Sequence, residues 1–245
     1  MKWHIGCSGF LYRDWKNVFY PEKLPQRSWF EYYASQFDTL ELNVTFYKFP
    51  GIAGLQKWHD TSPDHFLFSL KVPRLVTHYK QMKDCEHLLD DFYTTTEAGL
   101  QEKLGCVLFQ FPPKFIYTEE RLQLLLSNLR PHIKNVVELR DKSWWDKKVF
   151  KQLADNNIIF SGISHPILRD HQPPVINNTS AYYRFHGIPK LFYSEYQETD
   201  LRKVADLIKK NKKLKEVFIY FNNTATQAAI NNARMLKAYV CKEEI

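Results

Sequence analysis

The 245-residue chain reads as an α/β protein, a (β/α)8 TIM-type barrel in a single domain over residues 1–245. Three observations predict this. Short stretches with period-two alternation, or short continuous apolar runs, recur along the chain. Amphipathic segments of helical period separate nearly all of them, and such alternation implies a parallel sheet with helices outside it. Eight repeats in roughly 250 residues is the size of this barrel, and no linker-like or low-complexity segment interrupts them. An open doubly wound sheet is the competitor. It carries a Gly-rich phosphate turn after its first strand, and Gly6-Cys7-Ser8-Gly9 lacks that fingerprint.

Strand one is Trp3 to Ser8, followed by a loop rich in aromatics: Phe10, Tyr12, Trp15, Phe19 and Tyr20. Ser28 and Glu31 have capping-box spacing, and Trp29, Phe30, Tyr33, Ala34 and Phe37 form a helical stripe. Strand two, Thr39 to Tyr47, puts Leu40, Leu42 and Val44 on one side and Glu41, Asn43 and Thr45 on the other. A short helix spans Ile52 to Trp58, and strand three runs from Phe66 to Val72. After a polar loop comes a helix with the stripe Leu89, Phe92, Thr96, Leu100 and Leu104. Strand four, Cys106 to Phe111, is stopped by Pro112 and Pro113, which cannot donate to a ladder. Thr118 starts the next helix and Pro131 ends it; strand five is Asn135 to Arg140. A helix with Val149, Phe150, Leu153 and Ala154 precedes strand six, Ile158 to Ser164. No regular helix is predicted after strand six, where Pro166, Pro173 and Pro174 mark an irregular stretch, residues 166–180. Strand seven is Ala181 to His186, its helix holding Leu201, Val204 and Ile208. Strand eight is Glu216 to Asn222, and a last helix from Thr224, capped with Gln227, runs to about Val240.

Hydrophobic residues make up 44% of the chain and aromatics 16%, ample for a core. A formal charge of +7 permits an anionic partner. Much of the excess, however, is Lys209, Lys210, Lys212, Lys213 and Lys215 at the end of a predicted helix, where cations suit the dipole. Cys7, Cys85, Cys106 and Cys241 form no CxxC pair, and Cys7 and Cys106 fall on apolar strand faces. Buried, reduced thiols in a cytoplasmic protein are expected, not a disulfide framework or zinc site. The chain enters strand one with no basic-then-apolar leader, and no apolar run reaches the ~18 residues that span a bilayer.

Residues facing the helices must be apolar, so the other parity faces the barrel axis. That parity collects His4, Gly6 and Ser8; Glu41, Asn43 and Thr45; Ser69 and Lys71; Leu108 and Gln110; Glu138 and Arg140; Gly162 and Ser164; Arg184 and His186; Tyr220 and Asn222. Such barrels usually fill with branched apolar side chains. Burying ionisable groups costs several kcal/mol each unless they are paired. A self-satisfied network, Glu41 with Arg184 and Glu138 with Lys71, is one explanation. An active site is the other, because these residues cluster toward strand C-termini, where the fold places its chemistry. Lys71, Arg140 and Arg184 outnumber Glu41 and Glu138, which suits a polar or anionic organic ligand. A divalent metal on Glu41, Glu138 and His186 is opposed by the guanidinium groups, so no cofactor is expected. Arg74 and His78 extend the basic set beyond strand three, Tyr47 ends strand two, and His186-Gly187 with Asn222-Asn223-Thr224 occupies the usual phosphate corner. Of Trp144 and Trp145, one is expected to line the mouth.

These residues also fall into ordered motifs: Ile5-Gly6-Cys7-Ser8-Gly9-Phe10 with Asp14-Trp15 and Phe19-Tyr20-Pro21; Glu41-Leu42-Asn43 with Thr45-Phe46-Tyr47; Lys71, Arg74 and Thr77-His78. Gln110 with Pro112-Pro113, Glu138-Leu139-Arg140 with Ser143-Trp144, Tyr183-Arg184-Phe185-His186-Gly187 and Tyr220-Phe221-Asn222-Asn223 complete them. The whole chain thereby resembles the YecE-like family, a domain of unknown function. The resemblance implies a TIM-type barrel and a loose kinship with sugar-isomerase-like barrels, but no reaction. His165 before Pro166, where the family favours Asp, and Glu195, where a small residue is common, depart from its pattern.

Three functions are therefore expected to compete. In the first, an enzyme acts on a sugar-like or phosphorylated ligand by acid–base chemistry, with Glu41, Glu138 and His186 moving protons. Lys71, Arg74, His78, Arg140 and Arg184 hold negative charge, while Ser8, Asn43, Tyr47, Gln110, Trp144, Tyr220, Asn222 and Asn223 complete the binding surface. In the second, a nucleic acid stacks on the aromatic first loop, although no nucleic-acid motif is present. The third is a non-catalytic metabolite-binding protein. Oligomeric state is left open.

Overall fold

The computed structural model describes residues 1–168 and 179–242. Strands and helices alternate along it, every strand pair described is parallel, and the fold class is the TIM-type (β/α)8 barrel. Contacts group the chain into two compact units, residues 1–41 with 162–245, and residues 42–161.

In the first unit, β1 (Lys2–Ser8) pairs with β2 (Thr39–Leu42) on one side and β9 (Glu216–Phe221) on the other, and β8 (Ser180–Phe185) follows β9. β7 (Gly162–Ser164) pairs with β8. Register puts His4, Phe218 and Tyr182 at one level and Gly6, Tyr220 and Arg184 at the next, with Ser8 beside Glu41 beyond them. This inner face is therefore filled by aromatic rings and one guanidinium rather than by branched aliphatics. Gly6 is required there: a Cβ would meet the Thr39 carbonyl oxygen at 2.2 Å. The Tyr33 hydroxyl, from α1 (Trp29–Gln36), closes the gap between the two strands by accepting Cys7 N–H and donating to Thr39 O. α7 (Glu198–Lys209) and α8 (Ala228–Lys242) cover this unit's outer side, burying Leu201, Val204, Ile208, Ala229, Ala233 and Leu236. Each fully buried Leu, Ile or Val contributes about 1.5–3 kcal/mol.

In the second unit, β3 (Leu67–Lys71), β4 (Leu104–Gln110), β5 (Asn135–Glu138) and β6 (Ile159–Phe160) pair in that order. Lys71 stands beside Leu108 and Gln110 beside Glu138, on one face as expected. α2 (Val44–Tyr47), α3 (Ile52–Thr61), α4 (Glu86–Leu100), α5 (Glu119–Asn128) and α6 (Lys147–Asp155) complete it. A buried lysine, Lys103, caps the end of α3 by donating to the His59 and Ser62 carbonyls.

Several expectations need correction. Strand two stops at Leu42, because Asn43 takes a helical backbone (φ −88°, ψ −13°) and Val44–Tyr47 form one helical turn. Ser28 makes no side-chain cap; a short 3-10 turn, Gln26–Ser28, leads into α1 instead. The last helix begins at Ala228, whose N–H is taken by the Thr226 hydroxyl rather than by Thr224. The parity of strand six is the reverse of that expected. Ile163 stands beside Arg184, whereas Gly162 and Ser164 stand beside Tyr183 and Phe185 on the other face. Cys106 shares a face with Leu108 and Gln110 rather than lying on the helix side. The stretch after strand six begins with a 3-10 turn, Pro166–Leu168, and residues 169–178 of the expected irregular segment lie outside the described residues.

Candidate functional site

In the first unit the polar cluster is built around Glu41. Its carboxylate accepts from Arg184 Nε at 2.8 Å, from Arg184 Nη2 at 2.6 Å and from the Tyr182 hydroxyl at 2.6 Å. Both partners of the pair are sealed, with Arg184 1% and Glu41 0% exposed. This is the bidentate, charge-assisted geometry that makes a buried pair strong. The His186 ring continues the cluster, 3.5 Å from Arg184 Nη1 on one side and 2.9 Å from the Asn222 amide on the other. The Tyr220 hydroxyl meets Thr39 at 2.5 Å, and the Asn223 amide donates to the Ser194 carbonyl and to Asn232. His165, which the reversed parity of strand six hid, packs edge-on against His186 with ring centres 5.2 Å apart.

The second unit carries a cationic cluster. Lys71 lies with its ammonium 3.9 Å above the Phe46 ring, and His78 meets the same ring edge-on at 5.0 Å. Thr45, the second residue of α2, donates to the Lys71 carbonyl at 2.6 Å and so fixes that turn against the end of β3. Glu138 accepts both Nε and Nη2 of Arg140 on one oxygen at 2.7 Å. Gln110 turns its amide to the Phe111 carbonyl. Burial and then the charges of Lys71, Arg140, Arg74 and Lys114 push the His78 pKa down to about 4. The four charges add to burial in keeping the imidazole neutral, and together they give the region a positive potential.

Depth sorts the expected residues. Ser8, Glu41, Glu138, Arg184, His186, Tyr220 and Asn223 are buried, as are Gln110 and Lys71. Asn43, His78, Arg140 and Asn222 are half-buried, and Tyr47 and Arg74 are exposed. Both carboxylates are thus buried, and each grips the guanidinium of an arginine. Trp144 is not a ligand-lining residue: it is 0% exposed, stacked on Phe115, with its indole N–H given to the Phe115 carbonyl. Trp145 is half-buried. The first-loop aromatics do not form a stacking surface either. Trp15, Phe19 and Tyr20 are core, and Tyr12 turns its hydroxyl to the Ser8 carbonyl. Among the described residues no three His, Cys, Asp or Glu side chains are gathered to hold a metal ion.

Fold and site together define a TIM-type barrel protein whose strand ends carry ionised side chains. The chain belongs to the DUF72 family, described as a protein of unknown function, whose model matches residues 4–244. It is 24% identical over 266 residues to the UPF0759 protein YunF of Bacillus subtilis (strain 168), covering 95% of this chain and 93% of that one. To the UPF0759 protein YecE of Escherichia coli (strain K12) it is 27% identical over 144 residues, 58% of this chain and 52% of that one. A crystal structure of a DUF72 family protein from Thermotoga maritima matches with a TM-score of 0.86 at 28% identity, covering 98% of this chain and 100% of that one. The D-psicose 3-epimerase of Clostridium cellulolyticum H10 shares the fold alone, with a TM-score of 0.53 at 10% identity over 100% of this chain and 98% of that one. No described helix is long and apolar enough to cross a membrane.

Proposed function

We propose that the protein binds a small anionic ligand, a phosphorylated or otherwise acidic polyhydroxylated compound, at the cationic cluster of Lys71, Arg74, His78 and Arg140, and acts on it by acid–base chemistry. The observation that carries this reading is His78. Its ring shares Phe46 with the Lys71 ammonium, the charges of Lys71, Arg140, Arg74 and Lys114 all act on it, and Glu138 accepts from Arg140. Gathered cations of this kind make a place that favours an anion. A bound phosphate or carboxylate is one, with Arg140 presenting a planar donor fork and Lys71 a point charge.

The depth of the residues redistributes the roles. Glu41 and Glu138 are sealed and committed to arginines, so they serve as positioning groups that aim Arg184 and Arg140. His186 lies buried against a guanidinium. His78 is the imidazole that reaches solvent among the cations, and its surroundings keep it unprotonated at neutral pH. A general base must be neutral and within reach of its substrate, and we assign that role to His78.

The test is calorimetric titration with inorganic phosphate and ribose 5-phosphate while the His78 ring is followed by NMR. Binding is expected to lift the His78 pKa part of the way from about 4 toward the ordinary value, because burial holds it down first and the ligand offsets only what the neighbouring charges add. Replacing Lys71 or Arg140 by Met is expected to weaken phosphate binding by about 10- to 100-fold, the worth of one charged hydrogen bond. Millimolar phosphate that neither binds nor moves the His78 resonance refutes the reading.

A further inference from the structure

Resting on the anion-binding reading, the geometry points to a ligand with a second recognition element: we infer that it carries a flat ring that stacks on Tyr47, as a nucleoside monophosphate does. The argument runs through Phe46, a nearly buried ring that three groups share. Lys71 places its ammonium 3.9 Å from the Phe46 centroid, His78 lies edge-on at 5.0 Å, and Tyr47 meets it edge-on at 5.1 Å with the rings at 89°. Tyr47 therefore lies no farther from the anion-receiving ammonium than two short legs through one ring, the reach of a phosphorylated pentose.

Tyr47 is 77% exposed, yet its place is fixed. The turn that bears it, Val44–Tyr47, is pinned by the Thr45 hydroxyl to the Lys71 carbonyl, and Phe46 anchors it from within. An exposed tyrosine by itself needs no explanation. This one is an open ring on a rigid turn beside a cationic cluster, the combination of stacking platform and basic groove that binds nucleotides. Tyr79, exposed beside His78, already carries the Arg74 guanidinium over one face at 4.7 Å. Tyr47 is a ring placed to receive a planar group.

The experiment compares adenosine 5′-monophosphate with ribose 5-phosphate by calorimetry on the full chain, wild type against Tyr47→Ala and Tyr47→Phe. The expected result is that the nucleotide binds about tenfold or more tighter than the sugar phosphate, the usual return of one stacked base. Tyr47→Ala removes that advantage by weakening the nucleotide more than the sugar phosphate, whereas Tyr47→Phe keeps it. Equal affinities for the two ligands in the wild type overturn the inference while leaving the anion site standing. Equal weakening of both by Tyr47→Ala does the same. Binding of neither ligand overturns the anion site and this inference together.

Discussion

Glu41→Gln isolates the sealed ion pair. The change keeps the side chain's shape but removes the charge that answers Arg184, which is 1% exposed and cannot turn to water without opening the strand layer. Glutamine accepts on one atom only, so at most two of the three bonds survive, those from Arg184 Nε and the Tyr182 hydroxyl that share one oxygen, while Arg184 Nη2 then faces an amide N–H. Stranding a buried charge in this way costs about 3–5 kcal/mol. For a chain of this length, where 1 kcal/mol moves the melting temperature by roughly 2–4 °C, the expected fall is roughly 6–20 °C. Neither side chain is solvent-screened, so no discount applies. Urea denaturation gives the free energy and scanning calorimetry the temperature. The double change Glu41→Leu with Arg184→Leu removes the stranded charge, and its cost should be well below the sum of the single changes. A Glu41→Gln protein within 1 kcal/mol of wild type, or strict additivity in the double-mutant cycle, refutes a pair buried and ionised as described.

Three further outcomes follow from the same packing. Gly6→Ala should leave little folded protein on expression, since its Cβ meets backbone oxygen at 2.2 Å and Tyr33 Oη at 2.9 Å; a wild-type melting curve contradicts this. The folded His78 pKa of about 4 lies below its ordinary 6.5, so between these values the unfolded chain holds the proton more tightly. Stability should rise with pH through that window and be lost as pH falls through it, and a His78→Gln variant should show a flatter dependence. Trp144→Phe should cost about 1–3 kcal/mol by stranding the Phe115 carbonyl that its indole serves, with phosphate affinity unchanged; weakened phosphate binding at full stability returns Trp144 to the ligand surface.

The strand order and the inward ionisable set were legible because both rest on local periodicity. Glu41, Lys71, Gln110, Glu138 and Arg184 stand on the faces that alternation assigned them. Strand six was misread because Ile159, Ser161, Gly162, Ile163 and Ser164 alternate equally poorly either way. The ladder bond from Ser161 N–H to the Val137 carbonyl settles its face, and a bond to a distant strand leaves no local mark. Strand two was read too far because Val44 and Thr45 favour strands, whereas tertiary contacts of Thr45 and Phe46 hold them in a helical turn.

By itself the sequence determined that strands and helices alternate and that charge is turned toward one end of the strands, since both follow from the spacing of apolar residues. Only the tertiary structure decided depth: Glu41 and Glu138 lie sealed, while Tyr47, Arg74, His78 and Arg140 reach solvent. Depth is a sum over side chains far apart in the chain, and that is why no stretch of sequence could state which ionisable groups a solute will meet.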